Sequence, residues 1–142
     1  MIRTPGSTVL LTCVALLAAC GGKPQTVTNF PDTALLTTTS VDGAYTIALR
    51  TAPAQPPARG LCTGEYTITD ASGAPATGLA VAITPWMAQM GHGATLPTIT
   101  ELGGGKYLLE DVNLFMPGLW ELRTTLRGVT AATTTDPQLQ IP

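Results

Sequence analysis

The chain has 142 residues, seven Lys and Arg against nine Asp and Glu, a net charge of −2 and only 11% charged side chains. That length suits one domain, which buries roughly two-thirds of its unfolded surface and needs no staples to hold a core. No basic cluster occurs anywhere in it, which excludes a phosphate-neutralising nucleic-acid surface and charge-driven binding to anionic headgroups.

The first twenty residues read as an export signal. Arg3 precedes an apolar run from Val9 to Ala19, broken by Thr12, and small residues follow; this is the layout of a secretory leader. The run is too short to span a membrane as a helix, which takes roughly 20 apolar residues. Its end, Leu17-Ala18-Ala19-Cys20, resembles the lipobox of bacterial lipoproteins. The resemblance implies cleavage before Cys20, a diacylglyceryl thioether on its sulfur and an N-acyl chain such as palmitate. Several acyl chains together anchor stably where one holds only marginally. Gly21 stands where an inner-membrane retention signal has Asp, so in a cell with two membranes the family pattern favours the outer one. The expected division is a signal peptide over 1–19, a lipidated Cys20 with a flexible tether over 20–40, and one domain over 41–142. Such a protein sits in the cell envelope, held to the membrane by lipid and free to meet an envelope protein partner. With Cys13 removed and Cys20 lipidated, Cys62 is the one remaining thiol. It can pair with another chain, bind a soft metal or, most commonly, sit buried as a small hydrophobe.

Residues 21–40 are Thr- and Pro-rich and low in charge, as a tether is. Tyr45, Ile47 and Leu49 then alternate with smaller or polar neighbours. Three prolines between Pro53 and Arg59 mark a long connection. Tyr66 and Ile68 share one face of the next strand, with Cys62 on the same parity if the strand reaches back that far. Asp70-Ala-Ser-Gly73 is a turn, and Leu79, Val81 and Ile83 form another inward row expected to end at Pro85. Gly103-Gly104-Gly105 turns into a strand carrying Tyr107 and Leu109, with Glu110-Asp111 expected as a solvated turn near its end. Trp120, Leu122, Thr124 and Leu126 alternate with Glu121, Arg123, Thr125 and Arg127, the signature of a sheet with one wet face. Val129–Thr135 adds an edge strand. Six or seven short strands without a helical period predict an all-β sandwich.

The chemistry-bearing residues gather in Pro85-Trp86-Met87-Ala88-Gln89-Met90-Gly91-His92-Gly93 and in Phe115-Met116-Pro117-Gly118-Leu119-Trp120. With Gly105-Lys106-Tyr107 between them, these stretches resemble the YtkA-like domain family, which also takes in FixH-like proteins. The family pattern is a Met-rich Met-Gly-His stretch, then Gly-x-Tyr, then Met-x-Gly-x-Trp, covering about Val41 to Arg127 here. It implies an immunoglobulin-like sandwich in the cell envelope, and FixH-like relatives are linked to assembly of a copper-containing respiratory oxidase.

The residues themselves point to a soft metal. Thioethers favour Cu(I), and imidazole suits copper and zinc alike. His92 is the only histidine, flanked by Gly91 and Gly93, and Met87, Met90 and Met116 supply three sulfurs. Cys62 is a candidate fourth sulfur ligand, and Trp86 a candidate cap over a bound cation. These groups form a site only if both stretches lie at one end of the sandwich. Set against this, Met87 and Met116 can simply fill core gaps, and Trp120 has core parity. A metal-free structural or protein-interaction sandwich is the alternative. Catalysis is not expected. No Gly-x-Ser-x-Gly motif occurs, the triple glycine precedes a strand, and there is no second histidine.

Overall fold

Alternating burial along the chain resolves into ten strands and no helix over residues 29–142, the part of this computed structural model that is described. The expected signal peptide over 1–19, the expected lipidation site at Cys20 and the rest of the chain up to residue 28 lie outside the described residues. The strands are β1 (Leu36–Thr39), β2 (Tyr45–Ala52), β3 (Gly60–Asp70), β4 (Ala80–Met87), β5 (His92–Gly93), β6 (Thr98–Gly103), β7 (Lys106–Leu114), β8 (Gly118–Arg127), β9 (Ala132–Thr135) and β10 (Gln138–Ile141). One sheet has the order β1-β2-β3-β7-β6, and the other β10-β8-β4-β5, with β9 also paired to β8. All the pairings are antiparallel. This is the all-β sandwich expected, with more strands than the expected six or seven because several are short. Among the described residues no helix is long and apolar enough to cross a membrane.

Three boundaries differ from the expectation, each for a backbone reason. The sheet begins inside the stretch read as tether: β1 pairs Leu36 to Leu49 and Thr39 to Thr46. The segment before it is also tied down. Arg50 donates from Nε and Nη2 to the Asp32 carbonyl, Gln55 donates to the Thr33 carbonyl, and the Leu35 amide donates to Leu49. Glu65 is buried on that outer face between Arg50 and Lys106, at 3.5 and 3.4 Å.

Glu110-Asp111 is the second difference. It is no terminal turn but a bulge inside β7, where the register against β3 slips between Cys62 and Gly64. Asp111 takes φ 60, a left-handed conformation Asp tolerates better than most residues. The extra residue flips the parity of β7, so Tyr107 and Leu109 are buried before it and Val112 and Leu114 after it. The third difference is Pro85, which does not end β4. Its carbonyl accepts the Ala94 amide at 3.0 Å on the side facing β5, so its missing N–H removes no rung to β8. The strand runs on to Met87.

The core lies between the sheets and is built on Trp120, Tyr66 and Tyr107, with Ile47, Leu49, Ile68, Leu109, Leu114, Leu122, Leu126 and Ile141 fully buried around them. A polar contact crosses it. The Thr124 hydroxyl donates to the Leu122 carbonyl at 2.7 Å, so its contact with the Tyr66 hydroxyl at 3.0 Å has Tyr66 as donor. Burial pushes the Tyr66 phenol well above its ordinary value, which keeps it a donor. Along one side the two sheets are also stitched edge to edge. Thr135 donates to the Thr39 carbonyl, Thr38 meets Thr135 at 3.2 Å, and the Val41 amide donates to Thr134.

The core hydrogen bond makes an asymmetric prediction. Thr124→Val strands a buried phenol O–H and is expected to cost about 1–3 kcal/mol, whereas Tyr66→Phe costs about 1 kcal/mol. The double variant is expected to recover part of the Thr124→Val loss, measurable by urea unfolding.

Candidate functional site

Two connections meet at one end of the sandwich. In the β4–β5 hairpin, the Met90 and Gly91 amides both donate to the Met87 carbonyl, at 3.2 and 3.0 Å. That turn sets His92 opposite Met87 in the register, so both side chains leave on the inner face. The other connection is Phe115–Pro117, between β7 and β8, where the Trp120 indole N–H donates to the Met116 carbonyl at 2.9 Å.

Rings join the two. His92 stacks on Phe115 with centroids 5.7 Å apart and 18° between planes. Trp120 meets both rings edge-on, 6.4 Å from His92 and 5.5 Å from Phe115. An aromatic pair in such geometry contributes about 0.5–1.5 kcal/mol beyond its buried area. No side-chain hydrogen bond engages the His92 ring among the described residues, so the imidazole is held by its faces and edge while its nitrogens stay available.

Met87 wedges the same junction. It is 2% exposed, and its methyl lies 2.8 Å from where a Cβ on Gly118 would stand. Gly118 also has φ 130, a backbone region costly to side chains. The glycine therefore lets Met87 fill the gap under the second connection.

The candidate residues separate accordingly. His92 is half-buried at the junction, Met116 in the neighbouring connection is partly buried against the core, and Met90 is exposed at the hairpin turn. Met87 is brought to the junction but is enclosed by packing. Cys62 is buried on β3 opposite Val112, and desolvation pushes its thiol up to about 11. Near neutrality it is a thiol, not the thiolate that binds metal. Trp86 is the one candidate turned away. As Met87's neighbour on a strand it leaves on the outer face, where the Arg123 guanidinium lies 4.7 Å from its ring centroid. Phe115, which carries no role in the sequence pattern, and Gly118, which reads there only as part of a Pro-Gly turn, are the further participants. Only the flanking Met116 and Trp120 hinted at them, since ring stacking between two connections is a tertiary contact.

Among the described residues no three His, Cys, Asp or Glu side chains gather in a way that would hold a metal ion. A site of the usual zinc composition is therefore not built at this end. One imidazole with the Met90 and Met116 thioethers is a softer donor set, and its chemistry fits Cu(I). The family model for the YtkA-like domain matches residues 39–125, a span that holds both connections. No curated protein and no solved structure matches the chain.

Gly118→Ala is expected to lower stability by about 1–3 kcal/mol through its backbone conformation alone and to displace Met87. Adding Met87→Ala should relieve only the steric part, as thermal melts of the single and double variants will report. Cys62 should resist iodoacetamide at pH 8 until the protein is unfolded. The stability held in its protonated thiol is fully present below about pH 9 and is lost as pH rises toward about 11. Cys62→Ala removes that alkaline loss from a pH series of urea midpoints.

Proposed function

The chain belongs to the YtkA-like family, and on that premise we propose that it is an envelope lipoprotein whose domain holds Cu(I) through His92, Met90 and Met116. The observation that carries the reading is the meeting of the Met90–His92 hairpin with the Phe115–Met116 connection, joined by the His92–Phe115 stack. Soft donors from two segments then share one end of a rigid sandwich. Ring packing holds His92 before any metal arrives, which lowers the ordering cost of binding. Met87 and Cys62 serve this site as packing, and Trp86 does not cap it. The Leu17-Ala18-Ala19-Cys20 ending supports lipidation at Cys20 and attachment to the membrane from the outside. The role is one of binding and transfer, not catalysis.

One observation favours a metal-free alternative. Met90 is 57% exposed and Phe115 44%, an apolar pair at the same tip that suits a contact with an envelope protein. Anaerobic Cu(I) titration of the purified protein against a chromophoric chelator decides between the two readings. The copper reading expects one tight equivalent, weakened at least about tenfold, or about 1.4 kcal/mol, in His92→Ala. It also expects a copper-dependent rise in Tm, because a ligand of the native state stabilises it. Absence of both in the unmodified protein overturns the copper reading and leaves the contact surface.

A further inference from the structure

His92 sits on a strand with very little holding it. β5 has two residues and one neighbour, pairing Trp86 with Gly93 and Met87 with His92. Two rungs do not fix a strand through its backbone alone, since even an isolated hairpin is marginal. On the inner face the Phe115 and Trp120 rings restrain the imidazole. On the outer face, directly behind the same rungs, stands a second stack that the metal reading does not use.

That stack has three layers and a lateral tie. Its floor is the bare backbone of Gly93: a Cβ there would lie 3.1 Å from Trp86 Cε3 and 2.9 Å from the Pro85 carbonyl oxygen. The indole of Trp86 rests on this floor. Above it lies the Arg123 guanidinium, 4.7 Å from the ring centroid, in the position of a cation–π contact. Glu121 holds Arg123 from the side, Oε2 to Nε at 3.0 Å. Glu121 and Arg123 both belong to β8, where they are the register partners of Trp86 and Thr84. The outer layer and its tie are therefore anchored in the strand that pairs with β4, β9 and β10.

We propose that Trp86, clamped by Arg123 and Glu121, is a positioning residue for His92, fixing the β4–β5 hairpin from the outer face so that the imidazole is presented on the inner one. Gly93 is the residue through which the clamp acts, because any side chain there would lift the indole off the hairpin. His92's service as a ligand rests on the copper reading; the clamp itself does not.

The test reads the metal-free protein first. His92 is the only histidine, so its ring protons are assignable by NMR, and stacking on Phe115 displaces their shifts. Arg123→Ala removes only the upper layer, while Trp86→Leu removes the indole. Both are expected to move the His92 ring shifts toward those of a free imidazole. Exchange of the Ala94 amide, bonded to the Pro85 carbonyl at 3.0 Å, should accelerate about tenfold or more while the core amides of β3 stay protected. Arg123→Lys, which keeps a cation but not the planar stack, should recover part of the effect. Unchanged ring shifts and Ala94 exchange in folded Arg123→Ala overturn the clamp. Cu(I) titration of the same variants forms the second arm, where weaker binding at an unchanged core Tm supports positioning. If the unmodified protein takes up no Cu(I) while Arg123→Ala still shifts the His92 ring, the copper reading falls and the clamp stands. If the unmodified protein binds Cu(I) and Arg123→Ala binds it equally well with its ring shifts unmoved, the clamp alone falls.

Discussion

Neighbouring residues on a β-strand send their side chains to opposite faces, and most of this molecule's arrangement hangs on that constraint at Trp86 and Met87. Met87 goes inward, beneath Gly118 and opposite His92. Trp86 goes outward, onto Gly93 and under Arg123. One dipeptide thereby braces both sides of a two-residue strand. A one-residue slip of β4 would exchange the two, placing a large indole in the core and a methyl on the wet face. The seven partner pairs between β4 and β8 resist that slip.

The inner end of the sandwich divides its sulfur atoms by environment. Cys62 and Met87 are enclosed, Met116 is partly enclosed, and Met90 faces solvent. Sulfur held in the core contributes shape; on the copper reading, sulfur at the rim contributes donors. The imidazole lies between these zones, its ring against Phe115 and Trp120. Because Trp120 also holds the Met116 carbonyl, the indole that packs the core fixes part of the second connection as well. Fold and candidate site are thus secured by the same ring, a residue with plain core parity.

Legibility followed how far each element obeys simple alternation. β2 and β8 are readable because buried residues alternate with less buried ones over most of their length, as Arg123 and Arg127 show by following Leu122 and Leu126. β1 is not, since Leu-Thr-Thr-Thr has the composition of a linker and gains its strand only from β2 and from the threonine contacts to β9. The bulge at Asp111 breaks the parity rule outright. Pro85 looks terminal because proline lacks a donor, yet the sequence cannot reveal that its backbone faces away from β8. At the site, the candidate side chains were readable and their company was not. Separating Trp86 from Met87 requires carrying β4 past Pro85, and finding Phe115 against His92 requires knowing that the two connections share an end.

Arg50 gives the N-terminal side of the domain a mechanical property. Its Nε and Nη2 grip the Asp32 carbonyl, Gln55 grips Thr33, and Arg50 is itself braced by Thr67 and Glu65. A pull arriving through Asn29 meets these bonds before it reaches the first rung of β1 at Leu36. The load is divided between β2 and β3 instead of peeling an edge strand one rung at a time. Such a load is taken up on the outer face of that sheet, through side chains of β2 and β3 and the connection between them.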